Sequence, residues 1–63
     1  MATLVRCDAS KMQCGDDILL NGKVFQVIAI DGPDHIGTYD VHVRDQNNRD
    51  KFVIVQDLVT IIM

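Results

Sequence analysis

The chain has 63 residues, of which 48% are hydrophobic, and a formal net charge of −3. A chain this short forms one domain, residues 1–63, whose single core leaves little mass for a catalytic cleft. Its apolar content excludes a disordered chain, and its acidic balance argues against bulk electrostatic binding to nucleic acid or an anionic membrane. The sequence shows neither a membrane-spanning apolar stretch nor a secretory signal. We therefore expect a cytoplasmic protein with reduced cysteines.

The N-terminal half is divided by turn signals into short elements. Residues 3–7 are compatible with a first strand, and residues 8–13 with about one helical turn. Asn21-Gly22 is the clearest signal, because both residues accept the positive φ of a two-residue hairpin turn. It predicts a hairpin between residues 18–20 and residues 23–30.

The C-terminal half begins with an irregular segment, residues 31–37, which contains Pro33 and two glycines. Residues 38–45 alternate between apolar and polar side chains, which predicts a half-buried strand. A polar turn, residues 46–49, leads to a further strand, residues 51–56.

The chain ends with a predicted helical turn at residues 57–59 and a brief strand at residues 60–63. Several strands are apolar on both faces, as expected of long, bent strands that serve two parts of one core. The sequence thus predicts an all-β fold: a small SH3-like barrel of five or six short antiparallel strands with at most one or two short helical turns.

The register of the last long hairpin decides whether Phe52 and Ile54 are buried or exposed. Pairing Asp45 with Asp50 turns Phe52 and Ile54 toward the core, whereas a one-residue slip turns both outward. We prefer the first register because it buries the larger apolar area.

Several segments, in this order, resemble the opening of SH3-like translation and transcription barrels: Gly15-Asp16, Ile18-Leu19-Leu20, Asn21-Gly22-Lys23, Phe25 and Val27. The pattern is similar to the N-terminal, KOW-like domain of the bacterial elongation factor P family. The resemblance implies the barrel fold and a loop after the second strand that projects toward the partner. That family has a modified lysine in this loop, but the loop here reads Asp34-His35-Ile36, so a translation-factor role does not carry over.

Four residues could in principle bind a metal or perform nucleophilic chemistry: Cys7, Cys14, His35 and His42. The two cysteines are not spaced as in zinc knuckles, and nothing in the sequence pairs a cysteine with a histidine base. We expect free thiols and no metal, cofactor or catalytic residue. A small enzyme or metal protein is the weakest of three functional hypotheses.

The leading hypothesis is a non-enzymatic module that binds another macromolecule, in the first place a protein. Its size suits a modulator of a host machine encoded by a phage or mobile element, and homo-oligomerisation stays open. The candidate partner-binding residues are Asp34, His35 and Ile36 in the irregular loop and the amphipathic Tyr39 beside it. The alternative is that Ile36 plugs the barrel and the loop is only a connector.

The second hypothesis is a nucleic-acid-binding barrel that uses Lys23, Arg44, Arg49 and Lys51. In the preferred register Arg44 stands opposite Lys51, and an anionic ligand would relieve the repulsion between these like charges. Neutralisation by the two aspartates of the same hairpin is the simpler explanation. With only three aromatic residues in the chain, a platform for base stacking is poor.

Overall fold

The computed structural model describes residues 3–63 and shows a single antiparallel sheet of six strands. The strands are β1 (Leu4–Asp8), β2 (Asp17–Leu20), β3 (Lys23–Asp31), β4 (Thr38–Arg44), β5 (Asp50–Gln56) and β6 (Leu58–Ile62). One 3₁₀ turn, Ala9–Lys11, follows β1. The sheet order is β1-β6-β2-β3-β4-β5, so β1 and β5 form its two edges. The predicted all-β fold class, with six short antiparallel strands and one helical turn, is confirmed.

β3 is the longest strand and connects the two halves of the sheet. Its residues 23–26 pair with β2, and its residues 26–31 pair with β4. The register shifts between Val27 and Ala29, which marks a β-bulge where the strand can bend. One strand thereby serves both halves, as the doubly apolar pattern of residues 23–30 predicts.

The core lies on one face of this sheet. Ile18 on β2 and Val41 and Val43 on β4 are fully buried, and Val59 and Ile61 on β6 are nearly so. Because strands from both halves of the sheet surround the same core, the sheet must curl around it. Two residues of the segment after β1 complete the buried cluster: Ala9 and Met12.

The predicted Asn21-Gly22 turn is present between β2 and β3. Asn21 has a φ of 52° and Gly22 a φ of 75°, and Leu20 pairs with Lys23 across the turn. Both central residues therefore have the positive φ that a two-residue hairpin favours.

The helical turn predicted at residues 57–59 is wrong. Asp57 is a single residue with a φ of 64°, and β6 begins directly after it at Leu58. Its carbonyl accepts a hydrogen bond from the amide of Ala9, 2.8 Å away. Val59 and Ile61 are buried and the residues between and beside them are more exposed, which is the period of a strand rather than of a helix.

The preferred β4–β5 register is also wrong by one residue. Arg44 pairs with Asp50 and His42 pairs with Phe52, so Phe52 and Ile54 point outward, with 78% and 73% of their surfaces exposed.

The cause lies in the loop at residues 45–49. The Asp45 carboxylate accepts hydrogen bonds from the amides of Asn47 (2.8 Å) and Arg49 (2.9 Å). Asn48 takes a positive φ of 61°. These bonds form a loop whose ends, Asp45 and Arg49, face each other, so Arg44 faces Asp50 and the pairing of Asp45 with Asp50 is excluded.

Candidate functional site

The predicted partner-binding loop, residues 31–37, begins after Asp31 in the structure, because Asp31 ends β3, and is organised by Asp34. The Asp34 Oδ1 atom accepts hydrogen bonds from the amides of Ile36 (3.0 Å) and Thr38 (2.9 Å). The Asp34 amide in turn donates to the Thr38 carbonyl, 3.0 Å away. Asp34 therefore shapes the loop and holds the entry into β4.

The other three predicted partner-binding residues differ in exposure. His35 is exposed, and Ile36 is 64% exposed. The alternative in which Ile36 plugs the barrel is therefore wrong. Tyr39 is half-buried, packs against the core and lies opposite the buried Val55. A role of the loop in partner binding stays a prediction, with His35 and Ile36 as the side chains that the loop presents to solvent.

Three of the four predicted basic residues meet at one groove. Lys23, Arg49 and Lys51 line it together with Phe25, around a volume of about 310 Å³. We call these four residues the basic groove. Lys51 Nζ lies 5.8 Å from the centroid of the Phe25 ring, and Phe25 itself is only 7% exposed.

Arg44 does not join this groove. It lies on the opposite face of the sheet, where its Nε atom donates to Asp50 Oδ1 at 3.0 Å. The predicted juxtaposition of Arg44 and Lys51 is wrong because Lys51 pairs with Val43.

Neutralisation by the hairpin aspartates is confirmed for two cations. Asp50 pairs with Arg44, and Lys51 Nζ lies 3.7 Å from Asp45 Oδ2. Lys23 and Arg49 have no carboxylate within 4.0 Å in the described part of the chain. The groove thus keeps two cations that form no ion pair within residues 3–63, although the charge of Arg49 still acts on Asp45 at longer range.

Both hairpin aspartates are held in their charged form. The pKa of Asp45 is lowered, first by the hydrogen bond from the Arg49 amide and then by the Asn47 amide and nearby positive charges. The pKa of Asp50 is lowered chiefly by the hydrogen bond from the Arg44 side chain.

The structure also reveals a surface that the preferred register did not identify. Phe52 and Ile54 lie on the outer face of edge strand β5, and His42 on β4 stacks against Phe52 with ring centroids 4.8 Å apart. A shallow depression of about 230 Å³ adjoins His42 and Phe52, and Ala29 and Asp40 are among its lining residues. We call His42, Phe52 and Ile54 the outer patch. The one-residue slip considered in the sequence would have located it.

His42 is the one polar member of the outer patch. Its Nε2 atom is buried and makes no hydrogen bond within residues 3–63. It lies 3.4 Å from Asp50 Oδ2, and these two groups form an ion pair only when the ring is protonated. The ring therefore contributes mainly its face, which covers one side of Phe52.

The outer edge of β5 has free backbone groups. The Asp45 amide donates to the Arg49 carbonyl, so alternation along the antiparallel ladder directs the N–H and C=O groups of Lys51 and Val53 toward β4. Those of Phe52 and Ile54 point away from it, and β5 pairs with no strand other than β4 among residues 3–63.

The two sheet edges differ in their protection. β1 carries the charged side chains of Arg6 and Asp8 on its exposed face, and charges of this kind blunt an edge. β5 instead exposes the apolar side chains of Phe52 and Ile54 in the middle of its outer face. Its edge is therefore less protected by charge than that of β1.

Cys7 is half-buried on β1 and Cys14 is exposed, and both are free thiols. Within residues 3–63, no group of three His, Cys, Asp or Glu side chains is arranged to hold a metal ion. The described chain also has no helix long and apolar enough to cross a membrane.

The comparisons with known proteins add no relative. No protein-family model matches the sequence, and no curated protein or solved structure is significantly similar to it. The resemblance to elongation factor P therefore stays a prediction, and the functional argument depends on the geometry of this chain.

Proposed function

We propose that this chain is a non-enzymatic protein-binding module that docks its partner on the outer patch and the adjoining edge of β5. One observation supports this most: Phe52 and Ile54 are 78% and 73% exposed, side by side on an edge strand. A role in the cytoplasm as a modulator encoded by a phage or mobile element belongs to the same proposal.

The exposed pair could supply much of the binding energy of a small interface. Fully burying a side chain such as Phe or Ile stabilises a complex by about 1.5–3 kcal/mol. Aromatic residues in desolvated surroundings are frequent anchors of interfaces. The stacked His42 ring limits the motion of Phe52 before binding, which lowers the entropic cost of docking.

Nucleic-acid binding through the basic groove is the second candidate, favoured by the two cations, Lys23 and Arg49, that lack an acid within 4.0 Å in residues 3–63. The only aromatic ring in that groove belongs to Phe25, which is 7% exposed and cannot stack on a base. The chain as a whole is acidic. These features favour a protein partner.

The test is affinity capture from the cells that express the gene, with nuclease present or absent. The wild-type chain is compared with a Phe52→Thr/Ile54→Thr double variant. The matched control is Leu4→Thr, because Leu4 is a 58% exposed apolar side chain on the other edge strand.

We expect a nuclease-resistant protein partner that the wild type and Leu4→Thr retain and the double variant loses by at least about tenfold, or about 1.4 kcal/mol. Loss of every partner after nuclease treatment would favour the nucleic-acid alternative. Equal capture by all three chains would contradict docking at the outer patch.

A further inference from the structure

We propose that the partner contributes an extended segment that pairs with β5 as an added antiparallel strand, with apolar and acidic side chains in alternation. This inference rests on the proposed function and defines the chemistry of the partner at the same surface. Strand addition to an exposed sheet edge is a recurrent mode of peptide recognition, in which backbone bonds give affinity and side-chain pockets give specificity.

The backbone of β5 provides the first part of the argument. The N–H and C=O groups of Phe52 and Ile54 point away from β4, where no strand among residues 3–63 meets them. β5 has 7 residues with no proline, and its pairing with β4 is continuous from Asp50 to Gln56. An edge without a bulge or proline is a template for a further strand.

Space beside the edge provides the second part. A cleft of about 530 Å³ separates β5 from the β2–β3 hairpin, and its walls include Leu20, Lys23, Val53 and Ile54. The β2–β3 hairpin therefore does not pack against β5 at residues 51–54, and this part of the edge is open to an added strand.

The two faces of β5 determine the side-chain pattern of the added strand. Phe52 and Ile54 are on the outer face, whereas Lys51 and Val53 are on the face of the basic groove. Because successive side chains of a strand alternate between faces, every second residue of the partner would contact the outer patch and would be apolar. The residues between them would project over the basic groove.

Charge complementarity makes those intervening residues acidic. The groove holds Lys23, Arg49 and Lys51 but only one nearby carboxylate, that of Asp45, which already accepts two backbone hydrogen bonds. Carboxylates from the partner would meet the two cations that have no acid within 4.0 Å in the described chain.

A second copy of this chain fits the same surface less well. On the face of the basic groove its own β5 would present Lys51, Val53 and Val55, none of which is acidic. An acidic segment of another protein supplies the carboxylates that a second copy lacks at these positions.

The experiment uses a blocked synthetic peptide with the length of β5, 7 residues, in which valine and glutamate alternate. Binding is followed by the amide NMR signals of Phe52 and Ile54. One control peptide has lysine in place of glutamate. Two others are N-methylated, either at the valines or at the glutamates, because an antiparallel strand would direct the valine amides at β5.

The proposal predicts binding of the valine–glutamate peptide that is at least about tenfold tighter than that of the valine–lysine peptide. N-methylation of the valines should abolish binding, whereas N-methylation of the glutamates should leave it largely intact. A Lys23→Gln/Arg49→Gln variant should lose affinity, whereas Arg6→Gln, at the other edge, should not.

Binding that survives N-methylation of the valines, or that does not distinguish glutamate from lysine, would overturn the proposal. So would a self-associated dimer that the peptide cannot dissociate, or tighter binding of a single-stranded oligonucleotide at the same amides. If no peptide binds while the captured partner still requires Phe52 and Ile54, this inference fails and the proposed function stands.

Discussion

The imidazole ring of His42 stacks on the phenyl ring of Phe52, with centroids 4.8 Å apart and planes inclined by 22°. The two residues face each other across β4 and β5 in a pair that is not hydrogen-bonded, the arrangement in which side chains approach most closely. The stack holds an aromatic ring upright on the surface of an edge strand. Because Phe52 is 78% exposed, its ring adds little buried area to the fold.

The two phenylalanines should therefore differ sharply in their effect on stability. Phe25→Ala removes a buried side chain and should cost about 3–5 kcal/mol, enough to leave so small a domain largely unfolded. Phe52→Ala removes only a cross-strand contact and should cost about 1 kcal/mol or less. Urea unfolding of both variants is the measurement. Equal decreases in the free energy of unfolding would support the register in which Phe52 is buried.

Substitutions in the loop after β3 should show different effects on stability and on binding. Asp34→Ala removes the acceptor of two backbone hydrogen bonds and should lower the free energy of unfolding by about 1–2 kcal/mol, whereas Asp34→Asn keeps an acceptor oxygen and should cost less.

His35→Ser/Ile36→Ser leaves these hydrogen bonds in place and should hardly change stability. If the loop binds the partner, as the sequence predicts, this double variant should weaken capture by at least about tenfold. Unchanged capture would restrict the interface to β5.

Asp57, between β5 and β6, provides a test of the backbone conformation that the structure shows in place of the predicted helical turn. Asp57 has a φ of 64°, which a β-branched residue adopts only with strain. Asp57→Val should lower the free energy of unfolding by about 1–2 kcal/mol, and Asp57→Gly should leave it nearly unchanged. If thermal unfolding showed that valine is tolerated as well as glycine, the left-handed conformation at this residue would be contradicted.

Acid should destabilise the β4–β5 hairpin. The pKa values of Asp45 and Asp50 are lowered in the folded chain by hydrogen bonds from the Arg49 amide and the Arg44 side chain, respectively. Their contribution to stability is present above the unfolded value of about 3.9 and is lost as the pH falls through the lower folded values.

The urea midpoint should therefore fall as the pH is lowered from about 5 to about 2. Asp45→Asn and Asp50→Asn should each flatten this dependence, whereas Asp17→Asn, an exposed aspartate on β2, serves as the control for removal of one charge. If the two hairpin variants kept the full wild-type dependence, the ionised contacts would not contribute.

Local chemistry made much of the fold predictable. Asn21-Gly22 specifies a turn by its backbone preferences alone, and the alternation of residues 38–45 correctly assigns Val41 and Val43 to the core. Both signals depend on neighbouring residues and need no knowledge of the rest of the chain.

The register of β5 could not be obtained in this way. It depends on the Asp45 carboxylate, which accepts hydrogen bonds from two loop amides and so places Asp45 opposite Arg49. A sequence pattern does not show which acceptor an amide will find. The rule of maximum apolar burial also failed at Phe52 and Ile54, because the closure of the loop at residues 45–49 fixes the register and leaves both side chains on the outer face. The two residues at which that rule failed belong to the outer patch.

Hydrogen exchange at the β5 amides, with and without the captured partner, tests docking at this edge most directly. In the free protein the amides of Phe52 and Ile54 should exchange faster than those of Lys51 and Val53 by on the order of a hundredfold, because only the latter pair bond to β4. The partner should slow the exchange of Phe52 and Ile54 and leave the amides of β1 unchanged. Protection of Phe52 and Ile54 in the free monomer, or exchange there that the partner does not alter, would contradict docking at β5.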